Sequence, residues 1–227
     1  EPELGPDVID VGLRNEPNLE LLQRLKPSLM LLSRGFGPNA KRISTLSPQW
    51  TSQFSTAERG PLASTVADIR TLGSLLGRDA EAERCLAAMD RRLNTSAERL
   101  QGYRQEKLLM FSFLDSRRVM VFGKGSLFGD ILNRLGLNSA WQGETNQWGS
   151  TIVGIERLAK MEGVRALCFL HGDDDPMREI AHARLWRSIP FVREEKLHLL
   201  PAVWFFGANY SALRFCQLQD QTLEARV

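Results

Sequence analysis

Aromatic side chains in two non-periodic stretches are the residues best suited to ligand chemistry. Trp141 and Trp148 lie in the stretch 140–150, whose small and polar residues follow neither the helical nor the strand period. A second aromatic stretch, 203–207, follows an apolar run. A loop tryptophan can fold back onto the core, but loops also run over the surface and carry function. Two such stretches together favour a surface for a bulky, mostly uncharged ligand.

Residues for catalysis or metal binding are scattered. No serine lies in a GxSxG nucleophile elbow, and the three histidines are far apart in sequence: His171, His182 and His198. The acidic stretch 171–176 is interpreted as a solvated turn leading into a helix, because no partner is spaced for coordination. The cysteines lack CxxC spacing and lie in apolar patterns, which predicts buried free thiols at Cys85, Cys168 and Cys216.

Composition and charge exclude several classes of function. The formal net charge of +2 comes from dispersed residues, so nucleic acid is not expected as a partner. No apolar run reaches the roughly 18 residues that would span a bilayer. The turn Gly123–Ser126 lacks the phosphate-loop pattern GxxxxGK[ST], and Phe128 stands where a third glycine of GxGxxG would lie. We interpret this turn as a plain junction between a strand and a helix.

The first third of the chain has an α/β pattern. A strand at 8–12, a helix at 16–25 and an apolar strand at 28–33 predict a β-α-β unit. The segment 43–50 is expected to cover its sheet. The loop after the second strand and Arg14 would then share one rim of the sheet, although the spacing alone favours a solvated surface charge for Arg14.

A long helix and a second α/β pattern follow. After a helix from Pro61 to about 76, Asp79 is the predicted N-cap of a helix that runs to about 102. Such a helix would be roughly 30 Å or more in length, enough to cross between two lobes. The rest of the sequence predicts strands at 107–113, 119–122, 164–170 and 197–200, and helices at 126–135, 155–161, 177–186 and 207–227.

Three runs resemble a known family closely. The runs 8–22, 140–150 and 201–208 resemble the periplasmic ferric-hydroxamate (ferrichrome) binding proteins of ABC importers. The resemblance implies an α/β, two-lobed periplasmic binding protein with a single long inter-lobe helix. Its expected parts are an N-terminal lobe at 1–77, the helix at 78–102 and a C-terminal lobe at 103–227.

The resemblance also implies a set of site residues. Arg14 matches the family arginine that hydrogen-bonds the hydroxamate oxygens, and Phe36 and Phe206 stand where well-known members have tyrosines. Each phenylalanine keeps the ring and removes one possible hydrogen bond. Trp141 has no implied role and is expected to pack in the core. The implied ligand-binding residues are Arg14, Phe36, Trp148, Ser150, Trp204 and Phe206.

The function implied by the resemblance is transport and not catalysis. An iron(III)-hydroxamate siderophore would bind in an aromatic cleft, with its iron coordinated by the siderophore only, and would be delivered to an inner-membrane ABC permease. The protein is expected to be a periplasmic monomer that needs no cofactor. Alternatives are a catecholate siderophore or a corrinoid in the same fold, or an enzyme that acts on ferric siderophores.

The front of the chain departs from the family pattern. The sequence begins at Glu1 without an initiator Met or a signal peptide, and family members have a further β-α region before the matching segment. The chain is therefore expected to be N-terminally incomplete. Missing strands would leave an exposed sheet edge in the first lobe.

Overall fold

Residues 5–35, 43–56, 58–171 and 175–224 are described by the structure, which is a computed structural model. The chain divides into a first unit, 1–54, and a larger second unit, 55–227. The predicted lobe and helix boundaries at 77 and 102 stay a prediction.

The first unit begins with a small hairpin. Strand β1 (Gly12–Leu13) pairs antiparallel with β2 (Glu16–Pro17), and Arg14 and Asn15 form the turn between them. Gly12 has a φ of 95°, a conformation that glycine adopts without steric cost. The predicted strand at 8–12 and its β-α-β unit are therefore wrong, because the first strand is shorter and pairs with its neighbour in sequence.

A parallel strand pair completes the described part of the first unit. Helix α1 (Leu19–Leu25) is capped by Asn18, whose Oδ1 accepts a hydrogen bond from the Leu21 amide at 2.9 Å. Strand β3 (Met30–Ser33) follows as predicted and pairs in parallel with β4 (Gln49–Ser52). The expectation that 43–50 covers the sheet is wrong for its last two residues, since they belong to β4.

Two helices begin the second unit. Pro61 is the first residue of α2 (Pro61–Leu75), where its missing N–H costs no intrahelical hydrogen bond. Helix α3 (Asp79–Arg99) ends before the predicted residue 102, and a 3₁₀ turn follows it. The predicted N-cap is wrong, because Asp79 lies inside the helix and Arg78 precedes it. The buried stripe of α3 is Ala82, Leu86, Met89, Leu93 and Ser96.

A mixed sheet is the centre of the second unit. Within the described residues its strands are β5 (Lys107–Phe113), β6 (Arg118–Phe122), β7 (Asn138–Ser139), β8 (Ser150–Gly154), β9 (Val164–Leu170) and β10 (Leu197–Pro201). The order is β10-β9-β5-β6-β8, and β7 pairs with the start of β5. Strands β5, β9 and β10 are parallel, whereas β6 and β8 are antiparallel to their neighbours. The predicted strands are confirmed, and the sequence did not indicate β7 or β8.

Helices flank this sheet. Those described are α4 (Leu127–Leu135), α5 (Asp175–Ile180), α6 (Arg184–Ser188), α7 (Pro190–Arg193) and α8 (Asn209–Glu224). The turn before α4 is confirmed as a strand-to-helix junction, because the Ser126 hydroxyl caps the helix by accepting from the Gly129 amide at 2.9 Å. The single helix predicted at 177–186 is wrong, since a break separates α5 from α6. The helix predicted at 155–161 is a 3₁₀ helix, Ile155–Lys160.

The two faces of the sheet have different cores. Alternate residues of each strand point to opposite faces. One face carries Leu109 and Phe111 of β5 and packs with Trp141, Trp186 and Phe191. The other face carries Phe122 and Phe169, whose rings meet Phe128 of α4 and Phe215 of α8. The predicted packing role of Trp141 agrees with its 8% exposure.

Candidate ligand-binding site

The loop 141–150 is fixed on the turn that precedes α4. The Gly123 amide donates to the Gly149 carbonyl at 2.9 Å, and the Thr145 hydroxyl donates to the Lys124 carbonyl at 2.8 Å. Gly149 has a φ of 70°, and a Cβ on it would collide with the backbone of Gly125 and Ser126. The turn Gly123–Ser126, which lacks the phosphate-loop pattern, thus supports the loop 141–150 through these contacts.

Asn146 closes the end of that loop. Its Oδ1 accepts hydrogen bonds from the amide of Trp148 at 2.8 Å and from the amide and hydroxyl of Ser150 at 3.2 and 3.4 Å. The Asn146 amide donates to the Ser150 carbonyl at 2.8 Å, and the Gly149 amide donates to the Asn146 carbonyl at 2.9 Å. These bonds define the backbone on both sides of Trp148.

The aromatic stretch 203–207 forms a turn with alternating burial. Val203 is 3% exposed, Trp204 is 58% exposed, and the next two phenylalanines are half-buried. The Gly207 amide donates to the Trp204 carbonyl at 3.2 Å. Phe205 points into the core, where its ring centroid lies 4.4 Å from that of Phe122. Trp204 is thus exposed between a buried valine and a phenylalanine whose ring contacts the core.

The two stretches meet through their rings. The centroids of Trp148 and Phe206 are 5.2 Å apart at an interplanar angle of 70°, and those of Phe206 and Trp204 are 5.8 Å apart at 81°. Edge-to-face contacts of this kind are a preferred geometry for aromatic pairs. We call Trp148, Phe206 and Trp204 the ring cluster. It joins residues that are more than 50 positions apart in sequence.

Ser150 is buried, unlike the residues of the ring cluster. It is the first residue of β8, pairs with Phe122 of β6 and is 4% exposed. Its hydroxyl donates to Asn146 Oδ1. The geometry therefore gives Ser150 a part in holding the loop, whereas the resemblance implies that it lines the pocket.

Two of the predicted site residues, Arg14 and Phe36, belong to the first unit. Arg14 is exposed at the turn of the β1-β2 hairpin, which the hydrogen bond from the Gly12 amide to Asp10 Oδ1 at 2.8 Å helps to shape. The described residues do not include Phe36, so its predicted role stays a prediction.

His171 is a residue near the cluster that the sequence did not assign to the ligand site. It follows β9, and its ring centroid lies 4.7 Å from that of Phe205 at an angle of 80°. One side of the imidazole stays accessible to solvent, while partial burial lowers its pKa. The neutral ring is thus favoured beside the aromatic residues. The only sequence signal was its place at the carboxyl end of a predicted strand.

The cysteines are all free, as predicted, but they differ in burial. Cys168 and Cys216 are buried, and Cys85 is intermediate. The Asn209 side-chain amide donates to the Cys85 sulfur at 3.0 Å. Burial raises the pKa of the Cys216 thiol to about 11, which keeps it protonated and unreactive near neutral pH.

A concave region away from the ring cluster lies between α2, α3 and α4 and has a volume of about 380 Å³. Its base is apolar, and its rim carries the ion pairs Arg70–Glu83 and Arg134–Asp90, each at 2.7 Å. None of the ring cluster lines it. The paired charges of this region contrast with the aromatic surface of the cluster.

The described residues contain neither a metal-binding cluster nor a membrane-spanning helix. No group of three or more His, Cys, Asp or Glu side chains in 5–35, 43–56, 58–171 and 175–224 could hold a metal ion. In the same ranges, none of the helices is both long enough and apolar enough to cross a bilayer.

An α/β sheet with helices on both faces and exposed rings at loop ends is typical of a small-molecule binding protein. The family model described as "Periplasmic binding protein" matches residues 1–203. The chain belongs to this periplasmic binding protein family, which confirms the fold and the resemblance stated above.

Individual relatives agree with this assignment. The chain is 40% identical over 223 residues to the iron(3+)-hydroxamate-binding protein FhuD of Escherichia coli K12, covering 98% of this chain and 75% of that protein. It is similar to the crystal structure of FhuD from Vibrio cholerae with Fe³⁺-Desferal bound, with a TM-score of 0.85 and 26% identity over 98% of this chain and 84% of that one.

A more distant structure shares the fold alone. FeuA from Bacillus subtilis, a triscatecholate siderophore-binding protein complexed with ferri-bacillibactin, has a TM-score of 0.74 at 17% identity. The match covers 93% of this chain and 75% of the FeuA chain. The relatives are thus named as binding proteins.

Proposed function

We propose that this protein binds iron(III)-hydroxamate siderophores and delivers them to an inner-membrane ABC permease as a periplasmic monomer. The ring cluster is the observation that carries the proposal. Trp148 and Phe206 are half-buried and Trp204 is 58% exposed, so ring surface stays in water although apolar cores lie on both faces of the sheet. Large exposed aromatic groups of this kind mark binding surfaces.

The chemistry of a ferric hydroxamate suits such a surface. Three hydroxamates, each with one negative charge, neutralise Fe³⁺ and fill its six positions with hard oxygen donors, so the iron needs no ligand from the protein. The complex then offers an uncharged, largely organic exterior for ring contacts. Iron is the cargo here, held by the siderophore.

Arg14 supplies the polar part of the proposed site. A guanidinium group directed at hydroxamate oxygens makes charge-assisted hydrogen bonds, which are worth about 1.5–3 kcal/mol. The exposed position of Arg14 at a hairpin turn leaves its side chain accessible from solvent. The role of Arg14, like that of Phe36, is carried over from the family resemblance.

The decisive experiment is a titration with ferrichrome followed by tryptophan fluorescence. We expect saturable quenching, because the ligand would cover Trp148 and Trp204. Arg14→Ala should weaken binding by about 10- to 100-fold, which is the loss of the charge-assisted contact. Arg24→Ala is the matched control, since Arg24 is an exposed arginine in the last turn of α1 in the same unit.

Competing ligands and product analysis separate the alternatives. A folded protein that shows no quenching with high micromolar ferrichrome would overturn the proposal. Tighter binding of a ferric catecholate or of a corrinoid would reassign the ligand. Loss of Fe³⁺ or chemical change of the siderophore on incubation would indicate an enzyme, whereas recovery of the intact complex supports a binding protein.

A further inference from the structure

We infer that Asn146 is the positioning residue for Trp148, and that ligand affinity depends on its side-chain oxygen. This inference rests on the proposed function, because it concerns the same site. It concerns a residue that touches the backbone of the loop and acts on the ligand only through Trp148.

The first argument is the number of donors that one atom serves. Asn146 Oδ1 accepts from the amides of Trp148 and Ser150 and from the Ser150 hydroxyl, at 2.8, 3.2 and 3.4 Å. The Trp148 amide lies in a tight turn and donates to Oδ1 at the shortest of these distances. Loss of Oδ1 would remove the acceptor that these three donors share, and with it a direct link between the Asn146 side chain and the backbone at Trp148.

The second argument is the place of Asn146 between two anchors of the loop. Thr145 is bound to the Lys124 carbonyl, and Gly149 lies against the turn at Gly125 and Ser126. Residues 146–148 lie between these two anchors. Asn146 spans this gap with two further backbone bonds, one to Ser150 and one from Gly149.

The third argument is the consequence for the ring cluster. Trp148 meets Phe206 edge to face at 5.2 Å, a contact that depends on the direction of its side chain. A loop that samples several conformations would spread the indole over several positions. Binding would then select one of them, and the measured affinity would fall by the fraction of molecules in that conformation.

A set of variants in the intact chain tests the inference. Asn146→Leu removes the acceptor at similar size, and Asn146→Asp keeps an Oδ acceptor at the same place. Gln147→Leu is the matched control, because Gln147 is the exposed amide next in sequence. Asn146→Ala removes the same acceptor by truncating an exposed side chain and serves if Asn146→Leu fails to fold.

Two readouts are needed, namely ferrichrome affinity and the ¹⁹F spectrum of protein labelled with 5-fluorotryptophan. Trp148→Phe assigns the resonance of Trp148. We expect Asn146→Leu to weaken ferrichrome binding by about tenfold or more, and to shift or broaden the Trp148 resonance alone. Asn146→Asp should stay within about threefold of the wild type in affinity, and Gln147→Leu should match the wild type in both readouts.

The outcomes distinguish this inference from the proposed function. If the wild type does not bind ferrichrome, the proposed function fails, and the fluorine spectrum of the free protein still tests the role of Asn146. If the wild type binds and Asn146→Leu binds equally well with an unchanged Trp148 resonance, the inference is overturned. Equal losses in Asn146→Leu and Gln147→Leu would also overturn it.

Discussion

Two groups of aromatic rings in the second unit differ in what surrounds them. The buried group, Phe122, Phe128, Phe169 and Phe215, has exposures of 2% or less and fills the space between the sheet and two helices. The ring cluster keeps ring surface in water. Phe205 contacts both groups, at 4.4 Å from Phe122 and 6.2 Å from Phe206.

The difference in burial predicts which rings contribute to folding stability and which contribute to ligand binding. A buried ring gains free energy when the chain folds, because its surface leaves water at that step. A ring that stays exposed in the folded protein gains this free energy only when a ligand covers it and removes its surface from water. Substitutions in the two groups should therefore change different measurements, and this is the comparison that the following predictions test.

The largest effect is expected for Phe128→Ala. The Phe128 ring touches four others and is 1% exposed, so its removal leaves a cavity and should cost about 3–5 kcal/mol of unfolding free energy. Phe206→Ala is the matched substitution in the ring cluster and should cost less than about 1 kcal/mol. Urea denaturation of both variants measures the difference, and equal losses would mean that the two groups are not distinct.

Trp204→Ala is expected to weaken ligand binding and to leave stability nearly unchanged. Its indole is 58% exposed, so its removal should leave the unfolding free energy within about 0.5 kcal/mol of the wild type. Ferrichrome binding should weaken by about tenfold or more, because a buried ligand contact is lost. Tyr210→Ala is the control, since Tyr210 is an even more exposed aromatic residue at 72%. A stability loss in Trp204→Ala comparable to that of Phe128→Ala would contradict the comparison.

The sheet was the most predictable part of the fold. Strands β5 and β9 are nearly continuous apolar runs because both of their faces are buried, and that pattern is local in sequence. Strand β8 was missed because it begins at Ser150, inside a polar loop, and exists through its pairing with β6. The β1-β2 hairpin was missed because each strand has two residues, too few for a period to be visible.

The candidate site was less predictable from periodicity. The stretches with Trp148 and with Trp204 were noticed because they break the pattern, and the family resemblance supplied the individual residues. That Phe206 lies between the two indoles depends on tertiary contacts over more than 50 positions. Asn146 and His171 were not assigned to the site, since an amide in a turn and a histidine after a strand are common in proteins.

The pH dependence of stability tests the burial of His171. Its ring contacts Phe205, the residue that contacts both ring groups. Burial against Phe205 lowers the pKa of His171, so the folded protein binds this proton less readily than the unfolded chain does. Its contribution is complete above the unfolded pKa of about 6.5 and is lost as the pH falls through that value toward the folded pKa. The wild type should therefore lose more stability than His171→Gln between pH 7.5 and 5.5, as measured by thermal unfolding. Parallel losses would place His171 in a fully solvated environment.

The smallest effect is expected for Phe206→Tyr, which adds a hydroxyl to the central ring of the cluster. The ring is half-buried, so the unfolding free energy should change by less than about 0.5 kcal/mol. A hydroxyl that reaches a ligand oxygen adds one hydrogen bond, worth about 0.5–1.5 kcal/mol, whereas a ligand without an acceptor there gains nothing. The variant should therefore change the ratio of affinities for ferrichrome and Fe³⁺-Desferal by up to about tenfold. Phe205→Tyr is the matched control, because its ring points toward Phe122 and should lose stability without changing that ratio. An unchanged ratio in Phe206→Tyr would mean that the edge of this ring does not meet the ligand.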